Sequence, residues 1–526
     1  MEISSKKSTP LLNQTAALLL AAAVSELFPD TSMIGGQGTP DYFYQDFVFP
    51  FEFKPEFLPL IEERMRLIIR EKRGVRSFEM MPSNAAELMR HHHQTIVAEQ
   101  LKQIQRATVE MGQIGDFIAF FPQTLMKGLS IPFFKVLEGD SREVSVGKAT
   151  RIIGAACDDK ETLKQIAKQP SISSQSHLKL APAIDFCAPM GEEGMWYWCP
   201  KGEQVRQQWI EWWRAECVKQ NFDLIASPTP FIDNGGEESI SHSHREYFLR
   251  FGKEKIAEMA LISNGDYSDL SLGLFSPKTF FGDRIHRFCS DEKLLEECIS
   301  SLPFILKIPK ILGFKFEIVL SVSSEGAKRA KAKGALLLRQ VLEKTGLDYT
   351  LEKEYRVGTL ASIDIQIADS LGRRWTGPFL RIPDIAMPIG KGSMVILSAF
   401  GSLERMCALL LEKNQGWLPF WLAPQQVRIL VANDKTDLYA KRVYETLNTQ
   451  GFRVAIESGK EPLKARLYRA IVEKVPYILL LGEREERGEV LTIRTYGGSE
   501  EQTLSLDEFC IRLKREMGSG NSELKN

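Results

Sequence analysis

Trp421-Leu422-Ala423-Pro424-Gln425-Gln426-Val427-Arg428-Ile429-Leu430-Val431 is the stretch on which the reading of the C-terminal fold turns. The run from Val427 to Val431 is short, apolar and rich in branched side chains, which predicts a buried strand. Residues 436–449 carry helical spacing, Gly451 ends that segment, and Arg453 to Ile456 reads as a second strand. A helix is expected over about 462–473, and Tyr477 to Leu481 is a third strand. This β-α-β-α-β alternation predicts a parallel or mostly parallel sheet with helices on both faces.

Working outward, the middle of the chain holds most of the tryptophans. From Gly202 to Cys217, the residues Val205, Trp209, Trp212, Trp213 and Cys217 fall near helical spacing, so an amphipathic core helix is expected. Phe222 to Ile225 reads as a strand ending at Ser227-Pro228. Strand-like runs recur at 315–322, 361–367 and 393–399, separated by long helical insertions, which points to a mixed sheet. The first part opens with a helical Ala/Leu segment, a loop at Gly35-Gly36-Gln37-Gly38, and an aromatic strand from Asp41 to Phe47. Helices are expected near 56–72 and 84–108, and strands at Phe117 to Phe121 and Ile131 to Leu137. Gln169 to His177 reads as a linker. The expected division is therefore 1–170, 178–415 and 420–526, three domains in 526 residues.

Hydrophobic residues make up 44% and charged residues 26%, as in ordinary globular proteins. The net charge of −1 supplies no global field for nucleic acid, so any RNA contact must come from local basic patches. Eight scattered cysteines contain no C-x-x-C pair, which predicts a reduced, cytoplasmic protein without a disulfide framework or a Cys-rich zinc site. Lys6 and Lys7 precede the apolar run Ala16 to Val24 like a leader peptide, but Asn13, Gln14, Thr15 and the following Ser25-Glu26 favour a buried helix. No stretch approaches the ~20 apolar residues of a membrane span, and no membrane partner is expected.

Trp421 to Val427, Val475-Pro476-Tyr477-Ile478-Leu479 with Gly482-Glu483, Ile493-Arg494-Thr495 and Leu504 to Phe509 together resemble the anticodon-binding domain of threonyl-tRNA synthetases. Gly401-Ser402-Leu403-Glu404-Arg405 is similar to that family's third class II motif. Gly194-Met195-Trp196-Tyr197-Trp198 with Pro200-Lys201-Gly202 resembles its entry to the catalytic core, and Leu27-Phe28-Pro29 with Asp41 to Phe47 its editing domain. The resemblance runs from about residue 11 to near the end, with no counterpart of the family's small N-terminal ubiquitin-like domain. It implies a multidomain chain of α/β and α+β type: an α+β editing-like domain, a class II synthetase core built on an antiparallel sheet, and an α/β anticodon-binding domain.

The same resemblance locates chemistry that this chain has replaced. The family's ATP-binding Arg of the second motif corresponds to Asn264 within Ile262-Ser263-Asn264-Gly265-Asp266, and the next family Arg to Ser276, leaving Arg405 as the residual catalytic position. Of the family's zinc ligands, one Cys and two His, His286 matches the first His, Ile396 replaces the second, and the Cys loop is deleted between Arg250 and Lys253. His242 and His244, read as lying in an exposed loop, are a rival ligand source. The editing H-x-x-x-H pair becomes Asn13 and Ala17, and the editing Cys/His segment becomes Ala119 to Leu125. No general base survives there, and His91 to His93 reads as a solvated helix face.

For RNA, the helix carrying Lys460, Lys464, Arg466, Arg469 and Tyr468, followed by Arg494 and Tyr496, sets cations beside aromatics as single-stranded bases require. Lys328 to Lys333 is a second basic run, or a solvated face. The expectation is a synthetase-like protein that binds tRNA or regulates translation without aminoacylation. The alternatives are an active threonine–tRNA ligase with a rebuilt site, using ATP and Mg, and a dimer partner. Zinc is not expected. A homodimer, or a heterodimer with a true synthetase, is.

Overall fold

The computed structural model describes residues 10–522, apart from 105–106, 145–146, 168–175, 191–194, 228–235, 264–269, 324–327, 355–357, 386, 388–391, 460 and 496–500. The apolar run near the N-terminus lies in a helix, Pro10–Leu27, whose residues from Ala16 to Val24 are essentially sealed from solvent. It packs on a four-stranded antiparallel sheet in the order Ser32–Gly38, Phe43–Val48, Gly147–Cys157, Phe133–Val144. The glycines at 35, 36 and 38, expected as a loop, lie in the first of these strands. Close packing is the reason: a Cβ at Gly38 would collide with the backbone of Asn13 and Gln14 in the helix. The helix expected over 84–108 is two, Pro82–His91 and Thr95–Lys102, broken where His93 adopts φ +59°. His91 to His93 are exposed at that break.

The centre is an eight-stranded sheet. Its order is Asp223–Leu224, Lys255–Ser263, Thr279–Cys289, Ser393–Ser398, Arg374–Pro383, Thr359–Ala368, Phe316–Ser323, Thr350–Glu354. Every neighbouring pair is antiparallel except the outermost pair at each edge. The helix Pro200–Lys219 buries Val205, Trp209, Trp213 and Cys217 against it. The Trp209 ring meets Phe400 at 5.2 Å and Trp421 at 5.5 Å, so this helix also anchors the approach to the last sheet.

That last sheet runs Val454–Glu457, Val427–Val431, Tyr477–Leu481, Val490–Thr495, Glu501–Ser505. The first three strands are parallel and the last two antiparallel, so the expected β-α-β-α-β unit is present and extended by a hairpin. The sheets are tied together by polar contacts. Thr39 Oγ1 donates to Leu371 O at 2.6 Å, and Glu473 accepts from both Lys201 (2.8 Å) and Arg428 (2.7 Å). All eight cysteines are free thiols. Among the described residues no helix is long and apolar enough to cross a membrane.

Candidate functional site

The register of the central sheet separates an apolar face from a polar one. One row across the strands reads Ile285, Leu397, Leu380, Ile363, Leu320, all fully buried in the main core. The rows on either side face the other way, because successive side chains alternate. One holds His286, Ile396, Arg381 and Ser362, the other Arg284, Ser398, Phe379 and Asp364. Charged groups crowded on a largely buried face are expensive unless they are paired or serve a ligand. Arg284 and Arg381 both stack on the Phe379 ring, at 5.3 and 3.6 Å from its centroid. Neither arginine was singled out from sequence. They lie in 279–289 and 374–383, two strands whose residues carry no regular polar–apolar alternation in the sequence.

Arg405, the residual catalytic position, starts the helix Leu403–Lys413 at one end of this sheet. Its Nε donates to Phe275 O and its Nη1 to Thr376 O, both at 2.9 Å, and it lies 5.5 Å from the Trp375 ring. The guanidinium therefore braces two backbone carbonyls. Asn264, Gly265 and Asp266 lie outside the described residues, and Ser276 closes a turn onto Gly273 O.

Two carboxylates around the 398–404 segment that leads into this helix are buried. Asp283 is fully buried and accepts from Ser398 Oγ (2.6 Å), Ala399 N (2.6 Å), Phe400 N (3.0 Å) and Trp213 Nε1 (3.2 Å). Glu404 accepts from Phe281 N and, at 3.3 Å each, from Trp198 Nε1 and Ser402 Oγ. Burial outweighs these donors and pushes its carboxyl up to about 7. A carboxyl raised in the fold stabilises most at acid pH, below its unfolded value near 4.5, and that contribution is lost as pH rises through 7. Relative to Glu404→Gln, the native chain is expected to lose about 2–3 kcal/mol between pH 5 and pH 8. Urea unfolding of both proteins at the two pH values measures it.

His286 is fully buried, on the strand Thr279–Cys289, directly opposite Ile396. Its two ring nitrogens are occupied: Nε2 lies 3.0 Å from Ser241 Oγ and Nδ1 2.7 Å from His244 Nδ1. His244 Nε2 in turn lies 2.9 Å from Glu258, whose carboxylate also accepts from Ser227 N (2.8 Å) and Ser227 Oγ (2.6 Å). One proton arrangement satisfies every link: Ser241 donates to His286, His286 to His244, and His244 to Glu258. Burial, then the nearby His244 and Arg284, hold His286 well below the usual imidazole range, so it stays neutral. Burial opposes ionisation of Glu258, but the His244 and Ser227 hydrogen bonds keep its carboxyl below the ordinary range.

The reading of His242 and His244 as exposed loop residues is corrected here. Both lie on the helix Gly236–Phe251; His242 is exposed, but His244 is fully buried because it bridges that helix to two strands. Zinc does not fit these residues. Both nitrogens of His286 face hydrogen-bond partners, an isoleucine stands opposite, and among the described residues no group of three His, Cys, Asp or Glu side chains could hold a metal ion. Replacing His244 by Ala leaves Glu258 with only its serine donors and is expected to cost about 2 kcal/mol, read as a lowered urea midpoint.

At the editing-like position, Asn13 is fully buried. Its Oδ1 accepts from Ala156 N (2.9 Å) and its Nδ2 donates to Pro40 O (3.2 Å), stitching helix to sheet. Ala17 is buried beside it. An amide and a methyl group supply no base for hydrolysis.

The proposed RNA-binding residues divide. On the helix Leu463–Val472, Lys464 is exposed and Tyr468 is 70% exposed. Arg494 is half-buried on Val490–Thr495. Arg469 is exposed but paired with Glu457 and Glu461. Arg466 is the correction: it is 2% exposed, and its guanidinium donates to Val431 O (2.9 Å), Glu457 O (2.9 Å) and Glu461 O (3.1 Å). It points inward to close the ends of two parallel strands and offers no charge to RNA. Lys460 and Tyr496 lie outside the described residues. The basic run at 328–333 begins the helix Lys328–Thr345, with Lys333 exposed.

Comparison with known proteins agrees with this architecture. Residues 426–516 match the family described as anticodon binding domain. The chain is similar to the threonine–tRNA ligase of Nitrosococcus oceani, 25% identical over 569 residues, which span 96% of this chain and 87% of that one. It is 27% identical to the threonine–tRNA ligase of Lawsonia intracellularis, over the same shares of both chains. In fold it resembles the RNA binding domain of threonyl-tRNA synthetase from Cryptosporidium parvum Iowa II, with a TM-score of 0.58 and 23% identity, over 65% of this chain and 98% of that one. It also resembles the putative threonyl-tRNA synthetase ThrRS-1 of Aeropyrum pernix, with a TM-score of 0.53 and 15% identity, over 66% and 97% of the two chains.

Proposed function

We propose that the chain is a member of the threonyl-tRNA synthetase family, to which it is similar along most of its length, and that it binds tRNA or another RNA through its C-terminal domain and does not aminoacylate. The observation that carries the reading is the commitment of Arg405 to two backbone carbonyls. In-line attack on a nucleotide α-phosphate needs positive groups aimed at the developing charge. The family's other arginine positions here are Asn264 and Ser276, which carry no charge. Two further replacements point the same way: a hydrogen-bonded histidine pair at the zinc position, and Asn13 with Ala17 at the editing position. The RNA side rests on Lys464, Tyr468 and Arg494, cations and an aromatic ring on accessible surface. Eight unpaired thiols suit a cytoplasmic setting.

Two measurements test the proposal together. ATP–pyrophosphate exchange with threonine, and with the other amino acids, is expected at background. Filter binding of threonine tRNA is expected to weaken steeply as salt rises. Exchange that disappears in Arg405→Ala overturns the inactive reading; absent or salt-insensitive binding overturns the RNA reading.

A second reading, a subunit that pairs with its own copy or with a working synthetase, is favoured by one observation. The sheet ends on a two-residue strand, and Val218 (59% exposed), Leu224 (40%) and Leu261 (52%) present apolar surface on or beside it. Size-exclusion chromatography with light scattering decides, a monomer at micromolar concentration counting against it.

A further inference from the structure

Where the central body meets the C-terminal domain, residues 413–420 border a cleft of about 610 Å³. That volume is within the range of small-molecule sites. We propose that this cleft is a binding site for a nucleoside phosphate, either a free mononucleotide or one nucleotide unit of a bound RNA strand.

The walls are aromatic. Trp417 and Phe420 come from the connecting segment and Tyr477 from the start of the third parallel strand. Phe420 and Tyr477 are buried and packed on each other in the domain core, whereas Trp417 is half-buried; a flat base stacks on such an indole whatever its sequence identity. The charge is positive. Lys413 and Arg512 line the cleft, and the guanidinium of Arg512 lies 5.3 Å from the Tyr477 ring. Lys474 stands 5.1 Å from the Trp417 ring. The acidic residue in the lining, Glu516, accepts from the Tyr477 hydroxyl and forms an ion pair with Arg512 at 3.6 Å, so the charge of Lys413 carries the attraction for a phosphate. Lys413 donates to the neutral carbonyl of Leu312, so its charge is not cancelled there. An anion attached to a planar ring therefore matches both features of the cleft: the ring on Trp417, the phosphate toward Lys413 and Arg512.

Thr495, next to Arg494, lines the cleft, whereas Lys464 and Tyr468 are not among its lining residues; binding of a mononucleotide there does not depend on the RNA reading above. Its two walls belong to the central body and to the C-terminal domain, so an occupant bridges the joint between them.

Isothermal titration of the full-length protein with adenosine 5′-monophosphate tests the proposal. Binding is expected below about 1 mM, with the uncharged nucleoside adenosine weaker by about tenfold or more because the phosphate contacts are lost. Trp417→Ala is expected to weaken the monophosphate by about tenfold, and Lys413→Gln, which leaves the aromatic walls intact, to weaken it while retaining the native melting transition. Lys464→Glu is expected to change nothing here. An unstructured pentanucleotide that competes with the monophosphate assigns the site to a unit of RNA; monophosphate binding without competition assigns it to the free nucleotide. Absence of monophosphate binding at millimolar concentration, or binding unaltered in both cleft variants, overturns the proposal, even where tRNA binding persists.

Discussion

Asp283→Ala is expected to destabilise the protein by about 3–5 kcal/mol, seen as a large fall in the urea midpoint. Four donors converge on this one carboxylate: the Trp213 indole, the Ser398 hydroxyl and the backbone N–H groups of Ala399 and Phe400. Truncation strands all four in a site without solvent access. The effect is also positional. Asp283 holds the 398–400 turn that precedes Ser402, the cap of the helix carrying Glu404 and Arg405. It therefore fixes where Arg405 meets its two carbonyls. Asp283→Asn keeps acceptor capacity on one atom only and is expected to fall between the native chain and the alanine variant. An alanine variant as stable as the native chain sinks this account.

Arg466→Ala and Lys464→Glu are expected to part company, although both change a cation on the same short helix. Arg466→Ala removes the donor for three backbone carbonyls, that of Val431 buried, and leaves a void, at a cost of about 3–5 kcal/mol. RNA binding then falls because the C-terminal domain unfolds, and it recovers on cooling or with stabilising osmolyte. Lys464→Glu sits in solvent, so stability is expected to move by less than about 0.5 kcal/mol. Its RNA affinity drops nonetheless, with the slope against log salt smaller by about one unit. Circular dichroism melts run beside filter binding separate the two. An Arg466→Ala variant as stable as Lys464→Glu and the native chain would show that the arginine is not structural.

The legible part of this protein was the part written in local pattern. Val427 to Val431, the helix after it and Tyr477 to Leu481 follow from hydrophobic period and from the glycine at 451, and all appear. The Trp-rich segment after Gly202 and the buried N-terminal helix were equally open to that reading. Glycine misled where composition stands for a loop but packing demands a missing side chain, as at Gly38 against the helix backbone. Long-range strands such as Arg374–Pro383 stayed hidden because their polar and apolar residues alternate only in the context of a sheet face.

By itself, then, the sequence determined the order of helices and strands in its periodic segments and, through its motifs, the family that the chain resembles. It also determined which residues stand at the positions that the resemblance marks, Asn264 and Ile396 among them. What tertiary structure alone decided is where the remaining charges point. Arg466 turns inward to carbonyls while Lys464, two residues away, faces solvent; His244 is buried while His242 is exposed. The physical reason is that burial and hydrogen-bond partners belong to neighbours far along the chain, and a buried charge goes wherever those neighbours can satisfy it.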